Sequence, residues 1–261
     1  MSGLTLSRFP ENTHAQYIDS MERLWDYCID NSRKYHNLLF VLKDNKYSVL
    51  KFGFAQNRDV NIDEAMNYER ICKYNCTPKL LNKQASDIGA FFVMEFKPPH
   101  PCGANVRVAA PKLSSEDLQS ITRQVIEILL VLQEAFQGFK HNDLKADNVL
   151  LYDGPVVKFI DFESSYSSDD RILTGLFSKK NEDEFGLCKH HCPIFDFHLF
   201  TSDLCKYTED TNFHAFFHRI FPDDYPLTCR GRLTAEAQLT TQFKDLQTIK
   251  EDLYFLHETT H

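Results

Sequence analysis

Within "KHNDLKADNVLLYDGPVVKFIDFESS", residues 140–165, two carboxylates, an amide and an ammonium fall close together: Asp143, Asp161, Asn148 and Lys145. Asp143 and Asn148 lie on a short polar loop that runs into the strand-like "NVLLY". Asp161 ends the strand-like "VVKFI", and the two arms join through Asp153-Gly154-Pro155. A hairpin of this kind lets the Asp161 carboxylate meet the Asn148 amide over a shared ion. An Asp with an Asn amide oxygen offers hard ligands suited to magnesium, with waters and phosphates completing the shell. Asp143 is placed to orient a hydroxyl, and Lys145, two residues on, to reach a phosphate being moved. Divalent metal, orienting carboxylate and cation are the parts that phosphoryl transfer needs. Each of these residues alone is also an ordinary turn residue; the combination at this spacing carries the expectation.

The elements that must position them divide the chain in two. In the first part, residues 12–30 are expected to be at least partly helical, and "NLLFVLKDNKYSVLKFGF" reads as a hairpin turning at Asp44-Asn45. A helix is expected at "IDEAMNYERICKYN", then a strand at "AFFVMEFKPPHP" that the prolines stop. The second part is mostly helical. In "LSSEDLQSITRQVIEILLVLQEAF" the residues Leu118, Ile121, Val125, Ile128 and Leu132 share one face, with Ser114 and Asp117 as the cap. Further helices are expected at "FDFHLFTSDLCKY", at "NFHAFFHRIF" and near the C-terminus, where Leu239, Phe243, Leu246, Leu253 and Leu256 keep helical spacing. The expectation is an α+β fold: a strand-rich lobe, residues 1–95, hinged to a helical lobe, residues 96–261, with a cleft between them.

Composition narrows the partners. A net charge of -8 argues against a broad nucleic-acid footprint. No apolar run approaches membrane-spanning length, and "MSGLTLSRFPENTH" lacks the apolar core of a signal peptide. A cytoplasmic protein with reduced, mostly buried thiols is expected, with neither membrane nor nucleic acid as partner. The denser cluster "CKHHC" places Cys188, His190 and Cys192 together, but no second ligand pair stands at a familiar zinc spacing, and an ordinary loop is the expectation.

"HNDLKADN" followed by "IDFE" resembles the catalytic loop and metal-binding motif of the eukaryotic-type serine/threonine protein kinases, H-R-D-L-K-x-x-N and D-F-G. The resemblance extends over most of the chain and implies a two-lobed fold, ATP and magnesium (or manganese) as cofactors, and a protein substrate with a Ser or Thr acceptor. By that likeness Asp143 is the catalytic base, Lys145 contacts the γ-phosphate, and Asn148 and Asp161 bind the metal. "SVLKF" is similar to the strand of the ATP-anchoring lysine, Lys51. Its helix partner is expected to be Glu69, with Glu64 the other candidate; Glu69 is the better placed relative to "TPKLL", which resembles the turn after that helix. "FFVMEF" looks like the hinge, with Met94 as gatekeeper and Glu95-Phe96 presenting backbone to adenine. Asp196 in "FDFHLF" matches the helix aspartate that supports the catalytic-loop backbone.

Three departures open alternatives. No glycine lies between Gly3 and Gly53, so no Gly-rich turn covers the phosphates; Arg33 and Lys34 stand there instead, and a partner protein would help hold ATP. This favours a pseudokinase, a binding scaffold without transfer. Glu163 replaces the glycine of the D-F-G pattern, and "HND" with "IDFE" is also similar to choline, ethanolamine and aminoglycoside kinases. Against these stand Lys145 and the position of Asp196, 35 residues beyond Asp161, which leaves room for an activation segment. Asn142 replaces the arginine that receives a phosphorylated activation loop, and no A-P-E motif closes that segment. Asp169 and Asp170 would supply permanent charge there, or simply face solvent. The expected whole is a compact, divergent protein kinase similar to those of large DNA viruses or injected bacterial effectors, working in a host cytoplasm or nucleus.

Overall fold

The computed structural model describes residues 4–7, 16–18, 38–43, 46–54, 58–85, 89–95, 100–152, 154–169, 172, 194–221, 245–252 and 254. It is a mixed α+β chain that divides into two compact units, Met1–Lys97 and Pro98–His261.

Met1–Lys97 is built on an antiparallel sheet of β1 (Leu4–Ser7), β2 (Gln16–Ile18), β3 (Leu38–Lys43), β4 (Lys46–Phe54), β5 (Leu80–Ala85) and β6 (Gly89–Glu95), in the order β2-β1-β3-β4-β6-β5. The hairpin expected around residues 44–45 is present as β3 and β4, with Lys43 opposite Lys46. Gln16–Ile18, inside the stretch expected to be partly helical, is instead a strand on β1; Tyr17 and Ile18 suit a pleated surface, and pairing overrides weak local helix preference. The remainder of 12–30 lies outside the described residues. Helix α1 (Arg58–Ile71) begins four residues before the expected segment and covers β4 and β6. Ala65, Tyr68 and Ile71 are buried on its inner face, and Tyr68 meets the Phe92 ring at 5.1 Å. The strand β5 was not foreseen. Its residues Leu81–Ala85 are exposed and mostly polar, which blunts a sheet edge.

Pro98–His261 holds α2 (Val106–Ala109), α3 (Ser115–Ala135), the hairpin β7 (Val149–Tyr152) and β8 (Val156–Phe159), then α4 (Phe195–Leu204), α5 (Thr211–Ile220) and α6 (Leu246–Lys250). Helix α3 starts in a full capping box: Ser114 Oγ accepts from Asp117 N–H at 3.1 Å, and Asp117 Oδ2 accepts from Ser114 N–H at 3.3 Å. Its buried face contains Leu118, Ile121, Val125 and Leu132, with Leu129 buried and Ile128 half-buried. Gln124 ties α3 to the hairpin, donating to Pro155 O at 2.7 Å and accepting from Val157 N–H at 3.1 Å. Helix α4 is buried nearly all round, with Phe195, Phe197, Phe200 and Leu204 inside the core beside Asp196, Thr201 and Asp203. Near the C-terminus the described helix is Leu246–Lys250, with Leu246 buried; Leu239, Phe243, Leu253 and Leu256 lie outside the described residues. Among the described residues, no helix is long and apolar enough to cross a membrane.

Candidate active site

The loop between α3 and β7 is short, polar and held from below. Asp196, buried on α4, accepts from His141 N–H at 2.7 Å with one carboxylate oxygen and from Asn142 N–H at 2.8 Å with the other. Burial pushes the Asp196 carboxyl above the usual carboxylate range, while the His141 and Asn142 N–H groups and nearby cations pull the other way. The His141 ring is wedged against Phe162, 4.9 Å between centroids, and its Nε2 lies 2.9 Å from Ile160 O. Seven residues further along α4, Asp203 accepts from Ala146 N–H at 3.0 Å.

Above that support the expected residues converge. Asp143 Oδ2 accepts from Lys145 Nζ and from Asn148 Nδ2, both at 2.9 Å, and Asn148 Nδ2 also donates to Asp143 O at 2.8 Å. Both hydrogens of the Asn148 amide are therefore spent on Asp143, which leaves Oδ1 as the atom able to ligate a cation. Burial works against the Lys145 ammonium, but the Asp143 hydrogen bond and the charges of Asp143, Asp161 and Asp147 outweigh it, so its pKa lies above the ordinary lysine value. The side chain stays cationic at neutral pH. Asp161 follows β8, and the neighbouring Ile160 N–H donates to Asn148 O at 3.0 Å, so the two metal-ligand candidates flank one hydrogen-bonded rung. An amide oxygen and a carboxylate are a donor set that fits magnesium. Glu163 lies in the single 3-10 turn Phe162–Ser164, a conformation open to any L-residue, so this backbone does not require the glycine of the resemblance. A pocket of about 470 Å³ opens beside Asp143 and Lys145, lined also by His198, Leu199, Ser202, Asp203 and Lys206.

Lys51, Met94 and Glu95 belong to the other unit. Lys51, on β4 opposite Phe92 of β6, forms an ion pair with Glu64 Oε2 at 2.7 Å. This corrects the expectation of Glu69. Glu69 is exposed and pairs with Lys83 at 2.6 Å, and that contact holds its carboxyl below the usual range. The reason is helical phase: at about 100° per residue, Glu69 lies about 140° around α1 from Glu64. Glu64 shares its face with Tyr68 and Ile71, and that buried stripe was visible in the sequence. Met94 is buried, opposite Val49; Glu95 donates its N–H to Lys79 O at 2.8 Å. Phe96 lies outside the described residues, as do Arg33, Lys34, Asp170, Cys188, His190 and Cys192. Asp169 is structural, accepting from Ser167 Oγ at 2.6 Å and from Gln137 N–H at 3.1 Å.

Two supporting residues were not foreseen. Asp203 repeats the Asp196 contact, and the seven-residue spacing of the two aspartates, which helical period puts on one face, was the available signal. Arg107 pairs with Asp147 at 2.7 Å and lies 5.1 Å over the Tyr207 ring, a contact between residues too distant in sequence for any local pattern. No protein-family model matches this chain, and no curated protein matches it.

Proposed function

We propose that the chain is an ATP-dependent protein kinase that transfers the γ-phosphate to a serine or threonine hydroxyl, its two units being the strand-rich and helical lobes of a divergent protein-kinase-like fold. The observation that carries this reading is Asp143, held between the Lys145 ammonium and the Asn148 amide on a loop whose backbone hangs from Asp196. In this reading Asp143 accepts a hydrogen bond from the acceptor hydroxyl and takes its proton as the oxygen attacks the γ-phosphorus, while the bond from that phosphorus to the β,γ-bridging oxygen breaks and ADP leaves. Lys145, kept cationic by its acidic neighbours, offsets charge on the phosphoryl group in flight. Asn148 Oδ1 and the Asp161 carboxylate would hold magnesium, which supplies charge neutralisation on the polyphosphate. Lys51, held by Glu64, would bind phosphates of the nucleotide, and the β6 end at Met94 and Glu95 would face adenine. The serine/threonine preference rests on Lys145 by the resemblance.

The test is transfer from γ-labelled ATP by purified protein, with magnesium and then manganese. Acidic and basic protein acceptors are offered beside choline, ethanolamine and an aminoglycoside. Label on Ser or Thr that falls about 10²–10⁴-fold in Asp143→Asn is the expected result. Nucleotide binding in magnesium should be lost in Asp161→Ala. Label on a small molecule alone would replace the protein acceptor with that compound. ATP bound without transfer to anything would leave a binding scaffold.

A further inference from the structure

The loop that carries Asp143 is gripped at two points by one helix. Asp196 and Asp203 are seven residues apart on α4, which places them on one face and about 10 Å apart along the axis. Asp196 takes the N–H groups of residues 141 and 142, ahead of Asp143; Asp203 takes that of Ala146, behind it. The Asp203 oxygens divide their work. Oδ2 accepts from Ala146 N–H at 3.0 Å, and Oδ1 accepts from Lys206 Nζ at 2.9 Å. The Asp203 side chain is 13 % exposed against 65 % for Lys206, so the carboxylate is anchored in the core and the lysine reaches outward. Residue 146 also opens the 3-10 turn Ala146–Asn148, so its N–H direction sets where the Asn148 amide falls. That amide spends both its hydrogens on Asp143.

We propose that Asp203 is a positioning residue for phosphoryl transfer: its hydrogen bond to Ala146 N–H fixes the far half of the loop, and through Asn148 the orientation of Asp143. The assignment rests on the kinase reading above. Asp196 holds the loop ahead of Asp143, and beyond it the backbone is next held to the hairpin only at Asn148 O, by Ile160 N–H; Asp203 adds a side-chain grip at Ala146, between the two. With Asp203 the loop is pinned on both sides of the reacting carboxylate, and a displacement of about 1 Å at such a group costs up to about 100-fold in rate. Lys206 is the outer partner of the carboxylate and is not needed for the loop contact.

The experiment compares Asp203→Ala and Asp203→Asn with wild type, measuring kcat, KM for ATP and thermal midpoint on the full chain. Asp203→Ala is expected to lower kcat about 10- to 100-fold with KM for ATP within about twofold of wild type. Asp203→Asn keeps an oxygen for Ala146 N–H and should recover most of kcat. Faster amide exchange at residues 143–148 in folded Asp203→Ala, against wild type, is the structural counterpart. Should Asp203→Ala fail to fold, the Asn variant decides: kcat near wild type with unchanged exchange in the loop supports the positioning role. Wild-type kcat in Asp203→Ala, or an Asn variant as impaired as the Ala one, would overturn the proposal while leaving the kinase reading standing. Wild-type protein that transfers no label overturns both, and the two failures are distinguished by that control.

Discussion

Truncating Glu64 and truncating Glu69 should have very different consequences, although both are glutamates of α1 paired with a lysine. The Lys51 side chain is 14 % exposed and Glu64 is fully buried, with 2.7 Å between the charged atoms. At an effective dielectric of about 20, Coulomb's law gives about 6 kcal/mol of attraction at that distance, offset by several kcal/mol of desolvation. The net worth of the pair is small, but removing one partner strands the other charge. Glu64→Ala should therefore cost about 3–5 kcal/mol. The Lys83 and Glu69 side chains are 39 % and 53 % exposed, and a solvated pair of that kind contributes about 0–1 kcal/mol. Urea unfolding at pH 7 and moderate salt reads the contrast as a large midpoint shift for Glu64→Ala and almost none for Glu69→Ala. Adding Lys51→Met to Glu64→Ala should recover much of the loss, because it removes the stranded ammonium. Equal losses for the two glutamates, or no recovery in the double variant, would refute the assignment of Glu64 as the buried partner.

His198 gives a pH signature. Burial lowers its pKa from 6.5 to about 4, so the folded state resists its protonation. With the folded value below the unfolded one, its contribution is fully present above pH 6.5 and is lost as pH falls toward 4, about 3 kcal/mol in all. Unfolding curves from pH 7 to 4 should show this slope flattened in His198→Leu, and an unchanged slope would show that His198 is not the source. At the start of α3, Ser114→Ala removes the acceptor of the Asp117 N–H and should cost about 1 kcal/mol, read as a lower thermal midpoint. An unchanged midpoint would mean that the capping box does not limit stability.

What the sequence made legible is what repeats locally. The hairpin β7–β8, the cap at Ser114 and the cluster of Asp143, Lys145 and Asn148 each follow from residues within a few positions of one another, where turn chemistry and strand or helix period leave little choice. The Glu69 expectation failed because it weighed a likeness to a later turn above the phase of the helix, which already set Glu64 on the stripe of Tyr68 and Ile71. Strand β2 failed for a different reason: three residues gain their conformation from pairing with β1, and no local pattern encodes a partner strand. The Arg107 contact with Asp147, forty residues away, belongs to the same class.

The choice of asparagine at position 142 follows from backbone geometry. Among the described residues, the non-glycine positions with positive φ are Asn75, Asn142 and Asp161, all of the types that tolerate the left-handed region. Asn142 and Asp161 have φ of 64° and 69°, and each such conformation costs about 1–3 kcal/mol unless its surroundings fix it. At Asn142 they do. Its N–H goes to Asp196, and its Nδ2 donates to Ser164 O at 2.8 Å. Beside it Lys140 and Tyr166 exchange backbone hydrogen bonds at 2.9 Å, and Ser168 N–H reaches Gln137 O at 2.8 Å. An arginine here would pay more for the same φ and lacks an amide short enough to serve the Ser164 carbonyl. The residues after Asp161 are thus fastened to the catalytic-loop candidate by a rung of hydrogen bonds that requires no phosphate. Asparagine is the side chain that satisfies both the left-handed backbone and that rung.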